Sequence, residues 1–281
     1  MRTANRRAWQ ASPLTYIALI IAGVLSVFPL YFMFIIATKR NDNIHDTPPP
    51  VLPGGNFSDN FGRVLDNDHA NFIYGLMNSV FVSTCVTLGV VLFGSLAGFA
   101  FAKLKFRGRN ALLLVIIGTM MVPTQLGVIP LYIMMAKWLD WDGTLQAVIV
   151  PFLVTGFGVF MMRQYASQSV SDELIEAARV DGCSTFRIFW SIVLPILRPA
   201  AAVLGLLTFM QTWNDFVWPF IILDNKTPTV QVSLNLLAEA YYTDYAQVFA
   251  ATAVATVPLV IVFIVFGKQI IGGIMEGAVK A

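Results

Sequence analysis

Six stretches of this chain are long, apolar and almost free of charge: 14–37, 72–102, 110–136, 143–162, 199–223 and 246–267. About 20 residues rising ~1.5 Å each cross a ~30 Å hydrocarbon core, so each run is long enough to span a membrane as a helix. The second run exceeds one span, and its membrane helix is placed near 77–102. The fifth carries one charge, Asp215. Charged residues make up 12% of the 281 and hydrophobic ones 57%, where a soluble domain carries roughly a quarter charged residues. The chain therefore has too little polar surface to cover itself in water. The first run is too long for a signal-peptide core and has no small-residue cleavage site near its end, which predicts a retained span. The expected fold class is all-α: a polytopic membrane protein with six transmembrane helices.

Basic residues stay preferentially on the cytoplasmic side of a membrane. With six spans, one side collects Arg2, Arg6, Arg7, Lys103, Lys105, Arg107, Arg109, Arg163, Arg179, Arg187, Arg198, Lys268 and Lys280. The other holds only Lys39, Arg40, Arg63, Lys137 and Lys226. Both termini are thus expected in the cytoplasm, as tails 1–13 and 272–281. Segment 38–71 becomes an external loop, whose Pro48-Pro49-Pro50 and Pro53-Gly54-Gly55 clusters mark irregular backbone.

Several chemistries are disfavoured. Cys85 and Cys183 have no CxxC spacing and fall at different depths, so neither a disulfide nor a zinc site is expected. His45 and His69 read as solvated residues of the external loop. There is no GxxxxGK[ST] phosphate loop, no GxGxxG, no HExxH and no GxSxG. A chain without these does not readily bind or hydrolyse a nucleotide alone. No basic patch beyond the topological bias points to nucleic acid.

The polar island 163–198 interrupts the apolar runs, and it carries its own helical pattern. Ser171 is a good N-cap, and Asp172 and Glu173 fall in the first turn, where carboxylates meet the positive end of a helix. Leu174, Ile175 and Ala178 follow at helical spacing, and Gly182 stands where a helix commonly ends in a left-handed residue. A second helix restarts at Ser184 or Thr185 with an apolar stripe of Phe186, Phe189, Trp190 and Val193. Pro195 and Pro199 are expected to break or redirect the chain before the fifth span. The prediction is two short helices meeting at a glycine bend beneath the membrane. Ala177 and Ala178 would leave room for a partner, and Glu176 would offer it a charge.

The run Glu176-Ala177-Ala178-Arg179-Val180-Asp181-Gly182, with Leu194-Pro195 and Pro199, resembles the EAA loop of permease subunits of ATP-binding-cassette importers. Further segments agree: Asn78-Ser79, the stretch from Phe99 to Arg109, Pro123-x-Gln125, Pro130-Leu131-Tyr132, Trp213-Asn214-Asp215-Phe216-x-Trp218-Pro219, and the ending Gly277-Ala278-Val279-Lys280-Ala281. Together they are similar to carbohydrate-importer permeases, in particular the six-span second permease of maltose-type systems. The likeness is strong from residue 72 onward and loose over the first helix. Cys183 departs from the alanine usual in the family, and Ala281 from the common terminal glycine.

The resemblance implies a type I importer permease fold over 72–271, in the inner membrane of a prokaryote. It implies that Glu176, Ala177, Ala178, Asp181, Gly182, Leu194 and Pro195 dock a separate ATPase dimer that binds ATP and magnesium. Gly277, Ala278, Val279 and Lys280 would reach the same ATPase, and residues 225–247 would face a solute-binding protein. A second, homologous permease would complete the pore for a sugar. This chain itself would perform no bond-breaking chemistry and hold no metal or cofactor. A solute other than sugar, such as glycerol 3-phosphate, or an ion-coupled secondary transporter, are the alternatives. Secondary transporters usually carry internal repeats and several intramembrane ionisable groups, whereas Asp215 stands alone here. Asp215, with Gln211 and Asn214, either lines the sugar pathway or caps and braces a neighbouring helix. The resemblance favours bracing, because the sugar in maltose-type systems is held mostly by the other permease. Trp213 and Trp218 either stack on a pyranose or anchor their helices. Pro123, Gly127 and Pro130 are expected to kink the third span, and Gly94-x-x-x-Gly98 permits close helix approach.

Overall fold

Ser12 starts the first helix as its N-cap, its hydroxyl accepting from the N–H of Thr15 at 3.3 Å with Pro13 in the first turn. In this computed structural model the described residues are 12–44, 47–238 and 243–279, with side chains described as far as residue 267. The basic N-terminal tail, His45, residues 239–242 and Lys280 lie outside them. In chain order the helices are α1 (Pro13–Ala37), α2 (Phe57–Leu65), α3 (Phe72–Lys103), α4 (Arg109–Thr119), α5 (Val128–Tyr132), α6 (Gln146–Ile149), α7 (Gly156–Ser169), α8 (Asp172–Val180), α9 (Thr185–Ile188), α10 (Leu194–Trp213), α11 (Val217–Ile222), α12 (Val230–Ala238) and α13 (Tyr245–Val279).

Five helical segments among the described residues are long and apolar enough to cross a membrane, and a sixth follows if the bent pair at 109–119 and 124–138 is one span. The bend is 94°. Three helix-disturbing residues, Pro123, Gly127 and Pro130, coincide with a 3-10 turn at Thr124–Gly127, and the expected kink is in fact a full break.

The chain divides into two compact units: 1–66 with 237–254, and 67–236 with 255–281. In the first, Asn60 of α2 is 1% exposed and donates to the carbonyls of Ala37 and Lys39, satisfying the open end of α1. Thr38 caps the same end and accepts from the N–H of Gly54 at 2.8 Å. Arg63 forms a 2.8 Å ion pair with Asp244, just before α13 begins. The segment expected as an external loop is thus folded around a short helix.

The second unit is organised by α3. This helix begins at Phe72, five residues before its apolar run was expected to enter the membrane, and 32 residues at ~1.5 Å each make it ~48 Å long. Glycines let α7 lie directly against it. A Cβ built on Gly98 would stand 2.7 Å from the backbone of Met162 and Arg163, and one on Gly94 would stand 3.2 Å from the backbone of Gly158. Gly94-x-x-x-Gly98 is therefore the α3–α7 crossing. Val82, Val86, Val90, Met162, Leu197 and Leu204 fill the core between α3, α7 and α10.

Several expected helix ends move, and the sixth span, expected to stop at residue 267, continues as helix in α13 to Val279. The fourth span, expected to stop at residue 162, continues as helix to Ser169. The fifth does not begin at Pro199: helix runs unbroken over Thr185–Trp213. A π-turn at Phe189–Val193 precedes Pro195, and its wider winding relieves the clash between the proline ring and the carbonyl one turn earlier. Neither Pro195 nor Pro199 redirects the chain.

Candidate functional site: the polar hairpin of α8 and α9

Each end of the hairpin is fixed by a side-chain cap. The Ser171 hydroxyl accepts from the N–H of Leu174 at 3.3 Å, and that of Ser184 accepts from Arg187 at the same distance. Gly182 has φ +78°, the left-handed conformation expected there. The N–H of Cys183 reaches the carbonyl of Ala178 at 2.9 Å, and that of Gly182 reaches Arg179 at 3.0 Å. This pair of bonds is a Schellman motif, which places an apolar residue at position 183 to seal the turn. Cys183 packs on the core and performs that role.

α8 is seated on its own chain along one face. Ile175 and Ala178 are 4% and 6% exposed and join Ala166, Val170, Ile188, Phe189 and Val193 in the core. Ala178 was expected to make room for a partner, but its side chain is buried in the chain's own core. Leu194 and Pro195 are likewise half-buried inside the continuous helix rather than presented outward. Glu173, Glu176, Ala177, Val180, Asp181 and Gly182 remain exposed. Val180 is 88% exposed and Phe186 68%, so the open face has an apolar centre between acidic residues. The stripe on the second helix splits: Phe189 and Val193 are buried, while Phe186 and Trp190 pack edge to face at its surface.

Lys103, the last residue of α3, clamps the start of α8 by a 2.8 Å ion pair with Asp172. The Lys103 side chain is 8% exposed and Asp172's is 75%. The lysine hydrogen bond, and then its charge, hold the Asp172 carboxyl below its ordinary value of 3.8. A depressed carboxyl contributes stability above its unfolded pKa and loses it as pH falls through the folded value. Asp172→Asn is expected to lower the melting temperature at neutral pH, because it leaves a buried ammonium without its partner. The gap between variant and parent should close as the pH is taken below about 4. Melting curves across that range, with an unchanged gap counting against the clamp, make the check.

The second candidate cluster lies where the fifth span breaks. Residues 214–216 separate α10 from α11. Trp213 and Trp218 are 1% and 4% exposed, Trp213 stacks on Phe209, and the Trp218 indole N–H donates to the Ala147 carbonyl at 3.0 Å. Both rings are engaged by the protein and have no free face for a pyranose. Asp215 is half-buried and accepts from the backbone N–H of Trp218, holding the first turn of α11. It does not join Asn214 and Gln211 in a shared network. Asn214 bonds back to the Met210 carbonyl at 2.8 Å, and both it and Gln211 are exposed.

Residues 225–247, the external loop expected to face a solute-binding protein, contain α12, laid against the start of α3. Asn71 and Asn78 donate to the carbonyls of Asn225 and Pro228, and the Ser79 hydroxyl accepts from the N–H of Val230 at 2.8 Å. Val230 and Ser233 are fully buried. The bonding role of Asn78-Ser79 was missed in the sequence, although a polar pair inside an apolar helix is a signal that something polar must meet it. Gly277, Ala278 and Val279 lie on α13, with side chains beyond the described ones.

An all-helical chain with five or six membrane-length segments and a helical hairpin seated on the ends of two of them has the architecture of a transport permease. Residues 90–273 match the family described as the binding-protein-dependent transport system inner membrane component, and the chain belongs to it. It is 37% identical over 204 residues to the arabinooligosaccharides transport system permease protein AraQ of Halalkalibacterium halodurans, covering 72% of each chain. It is 33% identical over 266 residues to the lactose transport system permease protein LacG of Rhizobium radiobacter, covering 94% of this chain and 95% of that one. The sn-glycerol-3-phosphate transport system permease protein UgpE of Yersinia pestis is 27% identical over 268 residues, covering 93% and 95%. In structure the chain is similar to one from a bacterial ABC transporter involved in the import of the acidic polysaccharide alginate. The TM-score is 0.80 at 23% identity, covering 95% of this chain and 98% of the other, and this likeness concerns the fold.

Proposed function

We propose that this chain is one of two membrane-spanning subunits of an ATP-driven, binding-protein-dependent sugar importer, with both termini in the cytoplasm. A separate ATPase dimer binds ATP and magnesium and docks on the hairpin of α8 and α9. A homologous permease forms the other half of the pore, and an extracytoplasmic binding protein delivers the solute. The observation that carries the reading is mechanical. Helix runs from Thr185 to Trp213 over 29 residues, ~44 Å, and so exceeds a ~30 Å membrane core by more than two turns. The hairpin is continuous with that helix and clamped to α3, so displacement of α8 moves whole spans instead of being absorbed in a flexible tether.

Within this reading, Glu176, Ala177, Asp181 and Gly182 face the ATPase, and the tail at Gly277, Ala278, Val279 and Lys280 approaches the same partner. The pathway runs past the two broken helices. Backbone that leaves helical geometry at membrane depth is tolerated only inside protein or beside water, and residues 120–123 and 214–216 are two such places. Gln211 and Asn214 supply exposed polar side chains there, with Trp213, Trp218 and Asp215 as supports. Sugar is favoured as the solute because the 37% and 33% identical relatives carry arabinooligosaccharide and lactose names, against 27% for the glycerol-phosphate one.

The test is uptake in vesicles holding this chain, its partner permease and the ATPase, with the binding protein outside. Labelled oligosaccharide is expected to enter only with ATP and magnesium on the ATPase side. Uptake driven by an ion gradient without the ATPase would overturn the importer reading. Uptake of glycerol 3-phosphate and no sugar would overturn the substrate class alone.

A further inference from the structure

The turn between α3 and α4 concentrates charge. Lys103, Lys105, Arg107 and Arg109 fall within seven residues. Lys103 is neutralised by Asp172. Lys105 also lies within the field of that aspartate, but Asp172's hydrogen bond goes to Lys103. Lys105, Arg107 and Arg109 form no ion pair within 4.0 Å among the described residues and leave an excess of positive charge at this turn.

An open cavity of about 470 Å³ lies at this turn, lined by Lys105, Phe106, Gly108, Arg109, Asn110 and Ala111. One guanidinium nitrogen of Arg109 donates to the Leu104 carbonyl at 3.2 Å, which fixes the group at the cavity while leaving its other donors unused by that bond. Gly108, with φ +81°, turns the chain into α4, and no side chain caps that helix start. Immediately beyond the cavity the surface becomes apolar: Leu112, Leu114 and Val115 of α4 are 51%, 69% and 64% exposed. Cationic donors next to an exposed apolar helix face match an amphiphile with an anionic head and a hydrocarbon tail.

We propose that this cavity holds the phosphate of an anionic phospholipid of the cytoplasmic leaflet, with Lys105 and Arg109 binding the headgroup and the acyl chains lying along α4. The proposal rests on the membrane orientation given above. Topology alone asks only that basic residues lie on this side. It does not ask for a cavity or for a guanidinium tied to the backbone at its edge. A lipid held here would brace the α3–α4 turn beside the Lys103 clamp on α8, so anionic lipid would support coupling.

The test uses the intact importer in nanodiscs of mixed phosphatidylglycerol and phosphatidylcholine, with lipid retention read by native mass spectrometry after detergent release. The parent complex is expected to retain phosphatidylglycerol selectively. The double variant Lys105→Gln/Arg109→Gln should lose at least about tenfold of that selectivity. Arg107→Gln, outside the cavity, should change it less than about twofold, and Arg109→Lys should recover part of it. Equal losses in Arg107→Gln would reduce the effect to diffuse surface charge and overturn the site. Unchanged retention in the double variant would overturn it as well. Displacement of the lipid by inorganic phosphate would assign a small-anion site instead. Labelling of Arg107→Cys from the external side would overturn the orientation, independently of whether the lipid is retained.

Discussion

Glu176→Lys is expected to abolish ATP-driven uptake while the chain still enters the membrane and folds. Glu176 lies on the open face of α8, away from Ile175 and Ala178, which seat the helix on the core. Its carboxylate forms no hydrogen bond or ion pair among the described residues, so the folded monomer loses little, within about 0.5 kcal/mol for an exposed substitution. A docked ATPase changes that balance. Reversing a charge that meets a cation in a desolvated contact costs ~2–5 kcal/mol, which is about thirtyfold or more in affinity. Gly182→Asp should give the same phenotype by another route, since φ +78° is strained for any side chain and the Schellman turn holds the hairpin angle. The measurement pairs co-purification of the ATPase with uptake from the same membranes. Either variant retaining a full complement of ATPase together with normal uptake would remove the hairpin as the joint.

The membrane class and the hairpin were legible because each rests on local rules. Uninterrupted apolar runs have one physical use at that length, and Ser171, Gly182 and Ser184 are residues whose chemistry fixes helix ends. The span limits were less legible, because hydropathy marks where charge begins and not where helix stops. α7 runs on to Ser169 through Arg163 and Gln164, and α9 passes into α10 without a gap. Proline misled for a related reason. Pro195 is accommodated by the five-residue π-turn Phe189–Val193 before it, a tertiary solution that has no local signature, while Pro123 sits at a break of 94°. The two alanines were partly legible: Ala178 stands three residues after Ile175 and shares its buried face, while Ala177 falls on the open one, so the helical spacing already separated them before either was assigned to a partner. Trp213 and Trp218 were not, since their aromatic character suits a sugar or a core equally until the Ala147 carbonyl is seen to take the indole N–H of Trp218. α12 was missed because a helix of nine residues between two spans reads as loop until Asn78 and Ser79 supply its partners.

Gly98→Leu is expected to cut the yield of folded, assembled protein at least about tenfold, a larger effect on folding than any change on the hairpin. The reason is the atoms that its Cβ would meet. They are the backbone N of Arg163 and the backbone C of Met162, both at 2.7 Å, and backbone cannot swing aside as a flexible side chain would. Overpacking a tight core costs typically ~1–3 kcal/mol, and a branched side chain at a helix crossing stands at or above the top of that range. The consequence is not confined to the crossing. α7 leads from Arg163 to Ser169 and then through two residues into α8, so forcing α7 off α3 displaces the hairpin at its root. Gly94→Ala should be milder, since its contact with the Gly158 backbone is at 3.2 Å and asks for a shift of a few tenths of an ångström. Gly62→Ala on α2 meets nothing within 4 Å and should match the parent or gain slightly from the better helix former. Size-exclusion profiles and melting curves in detergent should rank the three as Gly98→Leu far below Gly94→Ala, and Gly94→Ala below Gly62→Ala. A Gly98→Leu protein that melts with the parent would mean that α3 and α7 are held apart in the membrane by something other than the contact between their backbones.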